Sequence, residues 1–368
     1  MCYFLCMSVI KKIFFDFFSQ HSYVANAVYS LPYAMVFKTT HYCWNNCPHC
    51  CESAGVNMPK NYIPSVIIEN YINQAIKDPN FSKNLVFTGG EIMSAYKYHD
   101  ESNYAKKLLN MGLGNKCSVD IKTDAGWVFT PMRDAIFSDL VDVLSTHSTN
   151  SFRLIPMQVS LSLDRFHPHA MQKNIEFITE MSCRQKNSSL VINISSFKQD
   201  ADMFEIMLAT LRKRYKNVHK MVLFGTPNTE HMQENLSNTV WSVNGNIVLK
   251  FSTGTLFDGG RARNIENAYH TPTPQFSFLA PGNPPHVLMT FDSFGNVTLG
   301  ENSGKKITVP WRDKNGAPRT LNDIRQDLII QAGKEEARYR FNECNRLVAK
   351  SIKNNIKNVL NLFRVKKR

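Results

Sequence analysis

Cys43, Cys47 and Cys50 stand at C-x3-C-x2-C spacing in Thr39-Thr40-His41-Tyr42-Cys43-Trp44-Asn45-Asn46-Cys47-Pro48-His49-Cys50, just after the apolar run Tyr33-Ala34-Met35-Val36-Phe37. Three thiolates on one short loop can grip three corners of a cubic [4Fe–4S] cluster. Such clusters are normally held by four Cys, so a three-Cys loop leaves one iron without a protein ligand and free to bind a small molecule. The competing reading is a structural zinc, which takes four N or S ligands, usually as two separated pairs. The sequence offers no second pair. His49 or Cys51 would have to complete the set, on a tight loop whose adjacent side chains point in different directions.

A second motif bears on the first. Asn84-Leu85-Val86-Phe87-Thr88-Gly89-Gly90-Glu91 reads as a short apolar strand ending in two glycines and a carboxylate. Glycines at a strand end let backbone come close to a ligand, and a following Glu can accept hydrogen bonds from an ammonium group. Alone, Gly-Gly-Glu is also an ordinary turn; beside a three-Cys loop it points to a ligand.

At these residues the chain resembles the radical S-adenosylmethionine (radical SAM) enzymes, whose hallmarks are the C-x3-C-x2-C cluster loop and a Gly-Gly-Glu on the following strand. The resemblance implies that Cys43, Cys47 and Cys50 hold a [4Fe–4S] cluster whose open iron is chelated by the amino and carboxylate groups of SAM. It implies that Gly89, Gly90 and Glu91 seat the SAM ammonium. The family often has an aromatic residue before the third Cys, where this chain has His49.

Length and composition suit an enzyme of this kind. The 368 residues are 43% hydrophobic and 20% charged, enough to bury a sizeable core in one large domain or two small ones. The nine Cys do not form a secreted disulfide framework: Cys117, Cys183 and Cys344 are isolated, and Cys50 and Cys51 are adjacent. A reducing, cytoplasmic setting is the natural reading. The apolar stretch Cys2 to Phe18 is interrupted by Lys11, Lys12 and Asp16 and falls short of the ~20 residues a membrane span needs. It reads as a buried or amphipathic segment, with Cys2 and Cys6 as small core residues.

From Ala34 to about Gly225 short β-rich runs alternate with helical ones. Strands are expected near 33–39, 84–88, 117–123, 156–163, 189–196 and 219–225. The intervening stretches, such as the one with Val66, Ile67, Tyr71, Ile72, Ala75 and Ile76, repeat their apolar residues near every 3.6 positions. This alternation predicts an α/β fold with a parallel sheet and crossover helices. Six such strands make a partial (β/α)6 barrel, which the resemblance also implies. The expected organisation is an apolar N-terminal segment (1–30), a core barrel (31–230), a small irregular β-rich extension (231–320) and a basic helical C-terminus (321–368).

Ligands in β/α folds collect at the C-terminal ends of the strands, and both motifs sit there. The other strand ends should line the same cavity: Lys122-Thr123-Asp124 on the third, Ser160 to His167 on the fourth, and Asn193 to Ser196 on the fifth. On the fourth, Ser160, Ser162 and Asp164 share one face of an alternating strand. Family enzymes often use this strand for SAM ribose, so Ser162 and Asp164 are candidate cofactor contacts. Asp164 could equally cap a helix beginning near Pro168. No residue that would act directly on a substrate is identifiable.

Glycine and proline crowd Gly254 to Pro285, and strand-like runs stand at Ile247–Phe251, Val287–Phe291 and Val297–Leu299. Gly260-Arg261-Ala262 and the hairpin-like Asp292-Ser293-Phe294-Gly295-Asn296-Val297 resemble segments of peptide-modifying radical SAM enzymes, although they also read as ordinary turns. In many such enzymes this region carries Cys for auxiliary clusters; here only Cys344 follows Cys183, which excludes them on ligand count. The C-terminus carries eight Lys or Arg and no acid from Cys344 to Arg368, and the formal net charge is +13. Such charge favours an acidic partner: an electron donor such as flavodoxin or ferredoxin, an acidic leader peptide, or nucleic acid. It is also what a solvated helix face looks like. The leading substrate is a peptide or small protein; the alternatives are RNA or a nucleotide, and a non-catalytic metal-binding scaffold.

Overall fold

The computed structural model describes residues 31–50, 52–101, 103–147, 157–185, 190–221, 240–254, 287–299, 307–339, 342 and 346. The expectations for the N-terminal segment, for the glycine- and proline-rich stretch with Gly260-Arg261-Ala262, and for nearly all of the basic tail lie outside these residues. The chain divides into two compact units. One comprises Pro32–Lys306 with Pro310–Leu321, the other Met1–Leu31, Ile307–Val309 and Asn322–Arg368.

The first unit is built as the alternation predicts. Strands β1 (Tyr33–Lys38), β2 (Phe81–Thr88), β3 (Ser118–Thr123), β4 (Met157–Ser162) and β5 (Leu190–Phe197) pair in parallel in chain order. Helices α1 (Ser65–Ala75), α2 (Ala95–Tyr98), α3 (Tyr104–Gly114), α4 (Arg133–His147), α5 (Ala170–Arg184) and α6 (Ala201–Arg214) lie in the connections. In α1 the buried residues Ile68, Tyr71, Ile72 and Ala75 follow the helical period.

Beyond β5 the structure departs from the expected barrel. The sixth parallel position beside β5 is taken by β8 (Ile247–Gly254), not by the run at 219–225. That run supplies β6 (Val218–Met221), which pairs antiparallel with β7 (Val240–Val243), and β7 in turn pairs antiparallel with β8. The reason is local. Val243 pairs with Ile247 across the three-residue loop Asn244-Gly245-Asn246, in which Asn244 and Gly245 both have positive φ, 54° and 79°, a conformation Asn and Gly adopt most readily, so β7 folds back on β8. On the other side β9 (Val287–Asp292) joins β1 in parallel, and β10 (Asn296–Leu299) closes antiparallel on β9. The Asp292–Asn296 turn is the hairpin the sequence suggests, with Asp292 Oδ1 accepting from the Phe294 and Asn296 amides at 3.0 and 2.9 Å. The runs assigned to a separate β-rich extension are thus members of the core sheet. Within this unit the strand order is β10-β9-β1-β2-β3-β4-β5-β8-β7-β6.

Register explains why these strands hold together. Phe291, Phe37, Phe87, Ile121, Val159, Ile192 and Leu249 are successive ladder partners, and every one is buried. Phe37 stacks between Phe87 and Phe291, with ring centroids at 5.9 and 5.1 Å. Because side chains alternate along a strand, the residues between them point to the opposite face, which is polar from β3 to β8. In the second unit, Ile307–Val309 of strand β11 (Ile307–Pro310) and the helical residues 322–339 are described, the helix burying Ile324, Leu328, Ala332 and Ala337. Among the described residues no helix is long and apolar enough to cross a membrane.

Candidate active site

The cysteine loop is stitched to the Gly-Gly-Glu strand end by backbone alone. The Thr39 amide donates to Thr88 O at 2.8 Å, the Gly90 amide to Thr40 O at 2.7 Å, and the Glu91 amide to Tyr42 O at 2.9 Å. This approach leaves no room for side chains. A Cβ on Gly89 would lie 2.3 Å from Thr40 O, and one on Gly90 would lie 2.0 Å from Tyr42 O. Gly89 also has φ +131°, a conformation L side chains rarely adopt. The two glycines are therefore required by the loop they support as well as by any ligand.

Cys43 and Cys47 are buried and Cys50 is half-buried, all three as free thiols. They line one cavity of about 520 Å³ together with Gly89, Gly90 and Ser162. Burial pushes the Cys43 thiol up, reinforced by the nearby negative charge of Glu91 and Asp124, so its thiolate needs a cation beside it. Bound iron supplies one and deprotonates a coordinating thiol outright. The Asn45 amide lies 3.4 Å from Cys43 Sγ, a donor to the sulfur of the kind that tunes iron–sulfur centres. Three free thiols on one cavity wall, one with an amide donor, fit a cluster held by three ligands.

Glu91 does not take the position its motif suggests. Its carboxylate is completely buried and does not line the cavity. It accepts from the Met93 amide at 3.0 Å, from Thr123 Oγ1 at 2.9 Å and from the Asp124 amide at 3.1 Å. Burial, with the adjacent Asp124 charge, raises its pKa well above the carboxylate range. Glu91 is a strut between the ends of β2 and β3, and the cavity sees Gly89 and Gly90.

Asp124 is the residue that sequence reasoning left without a role. Its carboxylate accepts from Trp44 Nε1 at 3.3 Å, from Asn45 Nδ2 and from the Gly126 amide at 3.1 Å, and it pairs with buried Lys173 on α5 at 3.0 Å. A carboxylate at the end of β3 thus clamps the cysteine loop. Burial alone would raise its pKa, but the contact with Glu91, the Lys173 charge and the Gly126 amide outweigh burial and hold it at about 2. With the folded pKa below the unfolded value of ~3.9, its contribution is complete above pH 4 and is lost as pH falls toward 2. Lys173→Met should leave the buried carboxylate unpaired and cost about 3–5 kcal/mol at neutral pH. A urea midpoint measured at pH 7 checks this, and the gap between variant and wild type should shrink below pH 4. No spacing rule connects Asp124 with Lys173, since the pair forms only when α5 packs against the segment that follows β3.

At the end of β4 the two candidates part. Ser162 lines the cavity. Asp164 turns into its own loop, where Oδ1 accepts from the Phe166 and His167 amides at 2.9 and 3.2 Å and Oδ2 meets His167 Nδ1 at 2.8 Å. It closes a turn and does not cap the helix, which begins only at Ala170 with His169 at its N-cap position. Partial burial disfavours the charge of His167, but Asp164 and Cys47 outweigh this and raise its pKa to about 10. His49, before the third Cys, stacks on Phe166 at 4.9 Å and meets His167 edge-on at 4.6 Å. Of the secondary candidates, Thr123 lines the cavity while bonded to Glu91, and Asn193 donates to Ser160 and Ser195.

The chain is similar to SuiB of Streptococcus suis. The structure of SuiB bound to S-adenosylmethionine aligns with a TM-score of 0.35 and 13% identity, covering 73% of this chain and 60% of SuiB. SuiB bound to its precursor peptide SuiA aligns with a TM-score of 0.36, 13% identity and coverage of 73% and 59%. Hexahistidine-tagged anSMEcpe with bound AdoMet aligns over 50% of this chain and 49% of that one, with a TM-score of 0.33 and 12% identity. This chain therefore matches less than two thirds of the length of each of these structures. No protein-family model matches it, and no curated protein matches it in sequence.

Proposed function

We propose that this protein is a radical SAM enzyme acting on a peptide or small protein. The observation that carries the reading is the shared wall: Cys43, Cys47 and Cys50 line the same cavity as Gly89 and Gly90, and the Gly90 amide is bonded to the strand that enters the cysteine loop. Cys43, Cys47 and Cys50 would hold a [4Fe–4S] cluster, which with SAM bound supplies one-electron cleavage of the sulfonium to methionine and a 5′-deoxyadenosyl radical. Gly89 and Gly90 bring bare backbone to the cavity and would seat the methionyl ammonium. Ser162 offers a hydroxyl for the ribose. Glu91, Asp124 and Lys173 hold loop and strand ends in place, and the apolar residues Val36, Val86 and Leu288 keep one side of the cavity dry.

A peptide substrate suits this lining better than a nucleobase. Among the described residues the cavity wall has no Phe, Tyr or Trp, and its only rings are His49 and His167; bases are usually held by stacking on aromatic side chains. The net charge of +13 suits an acidic electron donor of the flavodoxin or ferredoxin type, and cysteines spaced without a disulfide framework suit a reducing, cytoplasmic setting. The test is anaerobic reconstitution followed by SAM and dithionite. Release of 5′-deoxyadenosine and methionine is the expected result, and intact SAM in the presence of a full, reducible cluster overturns the reading.

A further inference from the structure

The polar face of the sheet carries a transverse row. Lys122 on β3, Ser160 on β4, Asn193 on β5 and Lys250 on β8 are successive ladder partners, so all four side chains leave the same face. Lys122 and Ser160 line the cavity that holds the cysteine loop. One position earlier on the same face, Asp120 Oδ1 accepts from Ser160 Oγ at 2.7 Å, and Asn193 Nδ2 lies 3.4 Å from the same hydroxyl.

The charges around this cavity do not cancel. Lys38 is paired with Glu52 at 2.6 Å, and Lys173 with Asp124 at 3.0 Å. Lys122 is exposed on the cavity wall and Lys250 is exposed further along the same row, and neither has an ion-pair partner among the described residues. Both act on the single carboxylate of Asp120, drawing its pKa down against the burial that raises it. Two cations facing one carboxylate, with a hydroxyl and an amide between them, leave one positive charge uncompensated. An excess cation inside a cavity attracts an anion, and a carboxylate accepts a charge-assisted hydrogen bond from an ammonium.

We propose that Lys122 and Lys250 bind a carboxylate of the substrate, so that the segment entering the cavity is an acidic stretch of peptide. This rests on the radical SAM reading, since it names the substrate class of the same cavity. Lys122 and Lys250 are the specificity residues here; Ser160, whose hydroxyl donates to Asp120, and Asn193, whose amide donates to Ser160 and Ser195, form the neutral floor between them.

The test measures binding of three blocked tripeptides, Ac-Ala-Glu-Ala-NH2, Ac-Ala-Gln-Ala-NH2 and Ac-Ala-phosphoSer-Ala-NH2, to the cluster-loaded protein with SAM present. The Glu peptide should bind about tenfold more tightly than the Gln peptide, the size of one charge-assisted hydrogen bond. Lys122→Met and Lys250→Met should each reduce that preference, the double variant should abolish it, and Lys122→Arg, which keeps the charge, should retain most of it. Equal affinity for the Glu and Gln peptides, no binding of either, or a preference that survives the double variant overturns the proposal. Tighter binding of the phosphoserine peptide than of the Glu peptide overturns the assignment to carboxylate. Release of 5′-deoxyadenosine by the wild type is scored separately. Cleavage of SAM without a Glu preference sinks only this inference, whereas a Glu preference without SAM cleavage sinks the enzymatic reading and leaves the anion site.

Discussion

Replacing Cys43, Cys47 and Cys50 together with Ala is expected to remove all cluster iron and sulfide and to reduce SAM cleavage to background, while the fold survives. Anaerobically reconstituted wild type should carry about four Fe and four sulfide per chain. The variant should carry neither and lack the thiolate-to-iron absorbance between them. The fold should survive because burial keeps the unmetallated Cys43 thiol protonated, so that in the apoprotein it is a small apolar residue. Exchange for Ala then costs little beyond lost contact, and thermal unfolding of the two apoproteins should nearly coincide. One equivalent of zinc with no sulfide in the wild type would contradict the cluster and with it the proposed activity.

Glu91→Ala is expected to destabilise the protein by about 3–5 kcal/mol and to lower cluster occupancy along with SAM affinity. The substitution strands three buried donors, the Met93 and Asp124 amides and the Thr123 hydroxyl, each costing about 1–3 kcal/mol when left without an acceptor. It also releases β2 from the end of β3, where Asp124 grips Trp44 and Asn45 of the cysteine loop. Glu91→Gln keeps the size and one acceptor oxygen and should recover most of the loss, in keeping with burial that already favours an uncharged group there. Denaturant midpoints and iron content of both variants decide between this role and that of a direct ammonium ligand. A Glu91→Ala protein with wild-type stability and a full cluster, weakened only in SAM binding, would restore the direct role.

The motif carries both functions of its residues, but only one of them is visible in the sequence. Gly89 and Gly90 read as close-approach glycines from their place at a strand end. That the closest neighbours are Thr40 O and Tyr42 O follows from the parallel pairing of β1 with β2, which places the two loops side by side. Glu91 reads as a ligand because its carboxylate follows the glycines. Its burial depends on Thr123 and Asp124, which sit on a strand more than thirty residues away. The same holds at β4, where Ser162 and Asp164 alternate identically in sequence, yet two backbone amides and His167 draw Asp164 out of the cavity.

By itself the sequence determined the elements whose causes are local: five parallel strands from the alternation of β-rich and helical runs, their crossover helices, the three-thiol loop and the Asp292–Asn296 turn. It also held an unread local signal, Asn244-Gly245, that dictates the β7–β8 hairpin. Only the tertiary structure decided that β8 stands beside β5 and β9 beside β1, that Asp124 finds Lys173, and that Lys122 and Lys250 share one row of the polar face. Helix and turn chemistry is set by neighbours within a few positions, which spacing reveals. Ladder partners and buried ion pairs join residues far apart in the chain, and which ones meet depends on how the apolar faces of all the strands are buried together.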